Sequence, residues 1–376
     1  MSEKIIRDSN FELLRIVLIV MIICLHYLGH GGSLEVLRPS DFNFYLAYAL
    51  ESFFIIAVNC FILITGFFQI NKECNFKKVV DLWTQVFFYS VLISSIFWIF
   101  KLEPINIKNV IQMIFPVITG RWWFITVYIM LYCFSPFINT ALNHMEKNTH
   151  KELLLVLAFF FVILPSFRPN ITYFQDTGYS LYNFVFLYSV GAYIRKYDVL
   201  YKINFLYAYF LCSLSIFLVS AFVTITCKKC ISFFYYNFIP VELSAIFLFI
   251  YFKNTKISSP KINEIATSVF GIYLISSDPF IRNILYSKIL HCADYYYSPF
   301  FLLHMVVSLV GIFSFCLVIE TFRQRLFTIL YPVWNYRAIR ISHRLRHYYG
   351  LAFSDENNSL KTKITIFFSM RNRLKD

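Results

Sequence analysis

The feature that most constrains this chain is the recurrence of apolar blocks about as long as a lipid bilayer is thick. A hydrocarbon core of about 30 Å needs around 20 predominantly apolar residues per helix. Ten such blocks, separated by short polar turns, lie near residues 11–30, 44–70, 79–100, 122–142, 152–167, 181–194, 204–226, 239–252, 266–287 and 298–320. We therefore predict an all-α polytopic membrane protein with about ten transmembrane helices.

Composition excludes the alternative that these blocks are core helices of a soluble protein. The chain is 59% hydrophobic, and only 15% of its residues are charged. Soluble domains carry about 25% charged residues, which keep their surfaces in water. Most of this chain must therefore lie in lipid.

Basic residues indicate the orientation, because cytoplasmic connections are enriched in lysine and arginine. The more basic connections are "NKECNFKK", "NHMEKNTHKE", "RKYDVLYK", "KNTKISSPK" and the tail from Arg323. These basic connections alternate with less basic ones along the chain, and this pattern predicts that both termini lie in the cytoplasm. No small-residue cleavage site follows the first apolar block, so we interpret that block as a retained span and not as a signal peptide.

Much of the net charge of +13 lies at the end of the chain, which carries "RAIRISHRLRHYYG" at 337–350. We predict a membrane domain over 8–325 and a basic cytoplasmic tail over 326–376. The tail is either an amphipathic helix held by anionic headgroups or a poorly ordered segment. Binding to nucleic acid is not expected from this distribution, and membrane lipids are the expected partner.

The nine cysteines give little sign of a metal site. Most lie inside apolar blocks, where a thiol is a small hydrophobic group. "CKKC" at 227–230 has a spacing that permits a disulfide, whereas a zinc site would need two further ligands that the sequence does not offer. We therefore predict no metal.

Two polar residues stand out in the first block, "RIVLIVMIICLH" at 15–26. Eleven helical positions complete about three turns, so Arg15 and His26 share one face, about 16 Å apart along the axis. An ionisable residue inside a membrane is a candidate for function, because its burial is costly. Two simpler interpretations remain open: Arg15 extends to the headgroups, or His26 is a hydrogen-bonded packing residue.

Four stretches in chain order resemble the acyltransferase-3 family, particularly bacterial members that O-acetylate capsule and other surface polysaccharides. The first is "SNFELLRIVLIVMIICLHYLGHGG", since a basic residue followed ten residues later by histidine is that family's hallmark. The others are "AVNCFILITGFF" at 57–68, "TGRWWFITVYIMLYCFSPFIN" at 119–139 and "SVFGIYLISSDPFIRNILY" at 268–286. Departures are Thr65 for a serine, Phe67 for a tyrosine, Ser276 for a second histidine, and only Lys77 and Lys78 where some relatives have Arg-x-x-Arg.

The resemblance implies a multi-pass enzyme of the bacterial plasma membrane that moves a short acyl group, usually acetyl, to a hydroxyl of a surface or lipid-linked polysaccharide. Acetyl-CoA is the implied donor, with no tightly bound cofactor. A hydroxyl is a weak nucleophile at neutral pH, so a base must take its proton. Histidine suits that role. His26 is the candidate base, although a transient acyl-histidine remains an alternative, and Arg15 completes the candidate catalytic pair.

Further site residues follow from position and chemistry. Arg15, Lys77 and Lys78 are candidates for the coenzyme phosphates, although the lysines also fit an ordinary cytoplasmic flank. Glu51 or Asp278 is expected to orient the imidazole of His26. The candidate acceptor site comprises Asn59, Thr65, Arg121, Trp122, Trp123, Tyr128, Asn139 and Asp278. Its tryptophans also fit an aromatic belt, and Asn59 and Thr65 also fit helix–helix hydrogen bonding.

Two other classes remain possible. A polysaccharide flippase or polymerase is also polytopic and aromatic-rich, but flippases are built from repeated halves and polymerases carry a large external loop, neither of which is evident here. A membrane acyltransferase of the other large type would use His304, whose surroundings "SPFFLLHMVVSLVG" do not resemble that pattern.

The orientation can be tested with topology reporters. A reporter fused after Lys151 or at the C-terminus should be active only in its cytoplasmic form, because both positions follow basic connections. Activity on the opposite side at either position would contradict the predicted topology.

Overall fold

The computed structural model describes residues 8–73, 75–167, 177–198, 203–227 and 233–349, with side chains up to residue 329. Within these ranges every regular element is helical. Cys230 of the "CKKC" pair and residues 350–376 of the basic tail lie outside the described residues. The disulfide that the spacing permits and most of the expected tail structure are therefore not tested.

Sixteen α-helices follow one another along the described residues. They are α1 Ser9–His30, α2 Ser33–Val36, α3 Phe42–Phe54, α4 Ala57–Gln69, α5 Phe76–Ile99, α6 Ile107–Ile114, α7 Trp123–His144, α8 Lys147–Ala158, α9 Leu164–Phe167, α10 Leu181–Tyr197, α11 Phe205–Cys227, α12 Ile239–Asn254, α13 Pro260–Ala266, α14 Val269–Ser276, α15 Pro279–Ile284 and α16 Phe301–Tyr349. Two π-helical turns, at Phe159–Ile163 and Leu285–Ile289, and a 3₁₀ turn at Cys292–Tyr295 complete the set.

The predicted all-α membrane fold is confirmed. Within the described residues, seven helical segments are long and apolar enough to cross a membrane: α1, α3 with α4, α5, α7, Lys147–Phe167, α11 and Phe301–Ile329. The blocks at 181–194 and 239–252 form helices of only 17 and 16 residues. Ten crossings therefore remain a prediction.

The block at 266–287 differs from the single span that its hydropathy predicts. It contains the short helices α14 and α15, which are separated by Ser277 and Asp278. Pro279 begins the second helix, and the Asp278 carboxylate accepts a hydrogen bond from the Phe280 amide at 2.9 Å. Irregular backbone at membrane depth is tolerated where it is buried in protein, and Asp278 is fully buried.

The chain divides into a larger unit, Met1–Glu320, and a smaller one, Thr321–Asp376. Within the larger unit, α1 packs against α3, α4, α12, α13 and α14. The helix α4 also packs against α10 and α12. These two helices therefore form the centre of the larger unit, whereas α5, α8 and α11 leave many apolar side chains exposed, as expected of surfaces that face lipid.

Two glycines allow α4 and α10 to touch through their backbones. A Cβ atom at Gly66 of α4 would overlap the carbonyl oxygen of Tyr188, and one at Gly191 of α10 would overlap the carbonyl oxygen of Leu63. The contact is reciprocal, since each glycine faces the other helix's main chain. Small residues serve this purpose in membranes, where helices associate by close packing and not by exclusion of water.

This contact predicts the effect of single methyl groups. Gly66→Ala and Gly191→Ala should each destabilise the fold by about 1–3 kcal/mol, because the added carbon forces the two backbones apart. Thermal unfolding of the purified protein in detergent measures the effect.

Gly311→Ala is the matched control. A Cβ at Gly311 of α16 would meet no atom within 4 Å. In a helix interior, alanine is more stable than glycine by about 0.5–1 kcal/mol. This variant should therefore be at least as stable as the parent. Equal stability of all three variants would contradict the backbone contact.

Candidate active site

A cavity of about 610 Å³ lies beside α1. Helices α1, α4, α5, α7 and α14 contribute to its walls. Arg15 and His26 both line it, in agreement with the shared helical face that their spacing predicts. The cavity therefore extends about 16 Å along α1, from one residue to the other. Its size is typical of pockets for small ligands.

Positive charge gathers at the Arg15 end of the cavity. Lys72 and Lys78 line this end with Arg15, and Arg195 lies close by, with its guanidinium 4.9 Å from the centre of the Phe67 ring. We call Arg15, Lys72, Lys78 and Arg195 the cationic cluster. Lys72 is exposed, but its partial burial lowers its pKa, and the charges of Lys78, Arg15 and Arg195 lower it further. Crowding of like charges is relieved by a bound anion.

Arg15 already has one partner inside the cavity. Its Nη1 donates to the Glu12 carboxylate at 2.7 Å, one helical turn away. A guanidinium has five N–H donors, so this ion pair fixes the direction of the side chain and leaves further donors for a ligand. The side chain of Arg15 is 31% exposed, which is consistent with access from the cavity mouth.

Lys72 lies in the turn between α4 and α5, and Asn139 of α7 holds that turn. The Asn139 amide donates to the carbonyl oxygens of Gln69 and Lys72 at 2.9 and 3.2 Å. Its own oxygen accepts a hydrogen bond from the Tyr188 hydroxyl at 2.6 Å. Asn139 therefore acts on the cavity indirectly, through the position of Lys72.

The opposite end of the cavity contains His26. Its Nδ1 atom is buried and has no hydrogen-bond partner among the described residues. The ring centre lies 5.2 Å from that of His30, one turn further along α1. A buried polar atom without a partner is costly, and a ligand or water that reached this nitrogen would complete its hydrogen bonding.

Aromatic rings form part of the cavity wall. Trp123, Tyr236 and Tyr128 all line the cavity. The Trp123 ring lies 4.4 Å from that of Tyr179, which in turn lies 4.8 Å from Tyr236. Asn59 supports this wall from behind, because its amide donates to the carbonyl oxygen of Tyr236 at 2.8 Å. Flat rings of this kind can bind the apolar face of a sugar or an acyl chain.

The structure divides the residues that the sequence singled out. Those that line the cavity are Arg15, His26, Thr65, Lys78, Trp123 and Tyr128. Those that lie outside its lining are Lys77, Asn59, Arg121, Trp122, Asn139 and Asp278. The Thr65 hydroxyl donates to the carbonyl of Phe61, one turn earlier in α4, at 2.8 Å.

Arg121 and Asp278 form a buried ion pair instead of contacting the cavity. The guanidinium Nε lies 2.8 Å from the carboxylate, and both side chains are almost fully buried. The arginine also donates to the hydroxyls of Ser90 and Ser94 at 3.2 and 2.7 Å. Trp122 donates to the Leu274 carbonyl at 3.1 Å. These contacts tie α5, α7 and the α14–α15 region together.

Neither acid proposed to orient His26 makes a hydrogen bond to it within the described residues. Both oxygens of Asp278 are engaged by Arg121 and by the Phe280 amide. Glu51 is buried, and its Oε2 has no hydrogen-bond partner in the described part of the chain. The imidazole of His26 is therefore positioned by packing on α1 and by its neighbour His30.

Sequence reasoning missed Lys72, Arg195, Phe124, Tyr236 and Tyr273. Lys72 and Arg195 were assigned only to basic connections, where many lysines and arginines have no function beyond orientation. The chain contains 45 phenylalanines and 27 tyrosines, and nothing in the sequence distinguishes Phe124, Tyr236 and Tyr273 from the others. Only the packing of helices selects the few that face the cavity.

The arrangement suits a ligand with an anionic head and a long, less polar arm. The cationic cluster would bind the head, and the walls of α1 and α4 would enclose the arm. His26 lines the far end of the cavity, where it would meet the reactive end of the ligand. Among the described residues, no three His, Cys, Asp or Glu side chains are arranged to hold a metal ion.

Comparison with known proteins agrees with this chemistry. Residues 8–321 match the family model described as an acyltransferase domain. Searches of curated proteins and of solved structures each find no match. The matched residues cover most of the chain and contain every residue that lines the cavity. This multi-pass membrane protein therefore belongs to the acyltransferase-3 family.

Proposed function

We propose that this acyltransferase moves an acetyl or other short acyl group from acetyl-CoA to a hydroxyl of a cell-surface or lipid-linked polysaccharide. One observation carries the proposal: a single cavity connects a cationic cluster to a histidine with a free ring nitrogen. Acetyl-CoA has the matching shape, with phosphates at one end and a thioester at the end of a long arm. The protein would lie in the plasma membrane of a bacterium.

Coenzyme phosphates would bind at the cationic cluster. Arginine presents a fork of donors that matches phosphate oxygens, whereas lysine provides a mobile point charge. With the N-terminus in the cytoplasm, this end of the cavity faces the cytoplasmic pool of the donor. His26 lies 17 residues after Ser9, about 25 Å along the helix axis, so the reactive end would reach toward the opposite leaflet.

His26 would act as the general base. As the acceptor oxygen attacks the thioester carbonyl, the imidazole takes the hydroxyl proton, and a tetrahedral intermediate forms. Collapse of that intermediate breaks the carbon–sulfur bond and releases coenzyme A, whose thiolate receives the proton. In the alternative relay, the imidazole itself accepts the acyl group before the hydroxyl does. The aromatic wall at Trp123 and Tyr236 would position the sugar ring.

The cationic cluster predicts how donor affinity responds to mutation. Arg15→Ala and Lys72→Ala should each weaken coenzyme A binding by about 10- to 100-fold, because a charge-assisted hydrogen bond contributes about 1.5–3 kcal/mol. Arg15→Lys should recover part of the loss, since the charge remains while the fork is lost. Calorimetric titration of the purified protein with coenzyme A measures the effect.

Lys77→Ala is the matched control for these variants. Lys77 is exposed on the first turn of α5 and does not line the cavity, although Lys78 beside it does. Its substitution should leave the affinity for coenzyme A within twofold of the parent. Equal losses in Lys77→Ala and Lys72→Ala would indicate a general surface charge effect and contradict a phosphate site in the cavity.

Removal of the proposed base should slow acetyl transfer without affecting the fold. His26→Ala and His26→Gln should accumulate normally and bind coenzyme A, while acetyl transfer falls by about 10²–10⁴-fold. Glutamine can form a hydrogen bond but cannot take the proton, so it should rescue nothing. Transfer of radiolabelled acetyl groups to surface glycan in isolated membranes gives the rate.

His304 provides the comparison histidine. Its Nδ1 lies 2.7 Å from the Tyr27 hydroxyl, and its ring stacks on Tyr295 with centres 3.7 Å apart. Because it does not line the cavity, His304→Ala should retain most of the activity. Near-full transfer by His26→Gln would show that His26 is a packing residue.

A further inference from the structure

A second polar group lies beyond His26, away from the cavity lining. His30 occupies the last turn of α1, and Arg282 lies on α15. The Arg282 Nη1 is 3.1 Å from the His30 Nε2, and the His30 ring is 5.2 Å from that of His26. His26 thus lies between the donor cavity on one side and this histidine–arginine pair on the other.

The tautomer of His30 follows from this contact. A guanidinium can only donate hydrogen bonds, so the His30 Nε2 must be the acceptor and its ring proton must be on Nδ1. With that lone pair occupied by a cation, His30 is poorly arranged to receive a proton from His26. The pair is therefore better suited to binding than to proton relay.

Arg282 has a positive charge without a compensating carboxylate. Among the described residues, Arg282 takes part in no ion pair, unlike Arg15, Arg121 and Lys253, which pair with Glu12, Asp278 and Asp198. Its Nε is buried and has no hydrogen-bond partner among the described residues. A partly buried cation with an unused donor is costly, and an anion would satisfy both the charge and the donor.

Nearby polar atoms add further unused hydrogen-bonding capacity. The Tyr286 hydroxyl, which interacts electrostatically with Arg282, is also buried and lacks a partner among the described residues. The charge of Arg282 acts on His26 as well, whose Nδ1 is likewise unpartnered. The uncompensated charge of Arg282 therefore acts on two further polar atoms that lack a partner, and a bound anion near Arg282 would offset that charge and offer hydrogen-bond acceptors.

This group is accessible from the surface at the far end of α1. Gly29 and His30 are exposed, and so is Asn283 beside Arg282. The cationic cluster lies at the other end of the same helix, near Arg15. A ligand of the histidine–arginine pair would thus approach His26 from the side opposite to the donor, as an acceptor must.

We propose that Arg282 and His30 bind an anionic group of the acceptor, so that the acceptor hydroxyl that receives the acyl group lies beside His26. The acceptor is then an anionic saccharide, whose charge is either the carboxylate of an acidic sugar or the phosphate of a lipid-linked glycan. This inference rests on the proposed acyl transfer, because it names the acceptor class of that reaction.

Binding of matched saccharides to the purified full-length protein tests the proposal without requiring turnover. The probes are a glucuronate-containing disaccharide, the same disaccharide with glucose in place of glucuronate, and glucose 1-phosphate. The parent protein should bind at least one anionic probe about 10- to 100-fold more tightly than the neutral disaccharide. Preference for glucuronate indicates an acidic sugar, and preference for the phosphate indicates a lipid-linked glycan.

Variants identify the residue responsible. Arg282→Gln should remove the preference for the anionic probe, and Arg282→Lys should keep part of it. Arg38→Gln is the matched control, since Arg38 is an exposed arginine in the connection that follows the same end of α1. Unchanged coenzyme A affinity in Arg282→Gln shows that the variant is folded and that its cavity is intact.

The outcomes separate this proposal from the proposed function. Equal affinity of the parent for anionic and neutral probes, or a preference that survives Arg282→Gln, would overturn the anion site. A preference that depends on Arg282, in a protein that transfers no acetyl group to any glycan, would support the anion site and overturn acyl transfer from acetyl-CoA. Loss of acetyl transfer in His26→Gln supports the proposed function, and it supports both proposals only together with a preference for the anionic probe that Arg282→Gln removes.

Discussion

The fold depends most on the contact between the backbones of α4 and α10. Gly66 and Gly191 each face a carbonyl group of the other helix, so a single methyl group on either would separate them. The helix α4 also packs against α1 and lines the cavity through Val58, Phe61 and Thr65. A displacement of α4 would therefore change the cavity wall directly. The same two glycines thus allow α4 and α10 to pack closely and fix the position of α4 in the cavity wall.

Buried polar side chains serve two different purposes in this protein. Asn59, Asn139 and the Arg121–Asp278 pair are hydrogen-bonded to groups on other helices, so they hold those helices together in a region without water. His26 and Arg282 make no such hydrogen bond across the scaffold, and each keeps a buried nitrogen without a partner among the described residues. The Asn59 Oδ1 and Arg121 Nη2 atoms are also buried without a partner there, so the hydrogen bonds between helices, and not the unpaired atoms alone, distinguish the scaffold residues.

The first helix arranges the proposed reaction along one axis. Its cavity face carries Arg15 near one end and His26 near the other, and its last turn carries His30. A donor held at Arg15 and an acceptor held at Arg282 would meet at the imidazole from opposite sides. Such an arrangement would let one rigid helix fix the distance between the site for the donor phosphates and the proposed base.

The sequence by itself determined the fold class, the positions of the apolar blocks and the shared face of Arg15 and His26. These follow from local physics: the length of an apolar block and the helical repeat do not depend on distant residues. Tertiary structure alone decided that Trp123 lines the cavity while Trp122 binds a carbonyl in the core, and that Lys78 lines it while Lys77 does not. It also decided that Asp278 pairs with Arg121 and that Lys72 joins the cationic cluster. Adjacent residues of one type have the same hydropathy, and only the packing of separate helices determines which of them faces the cavity.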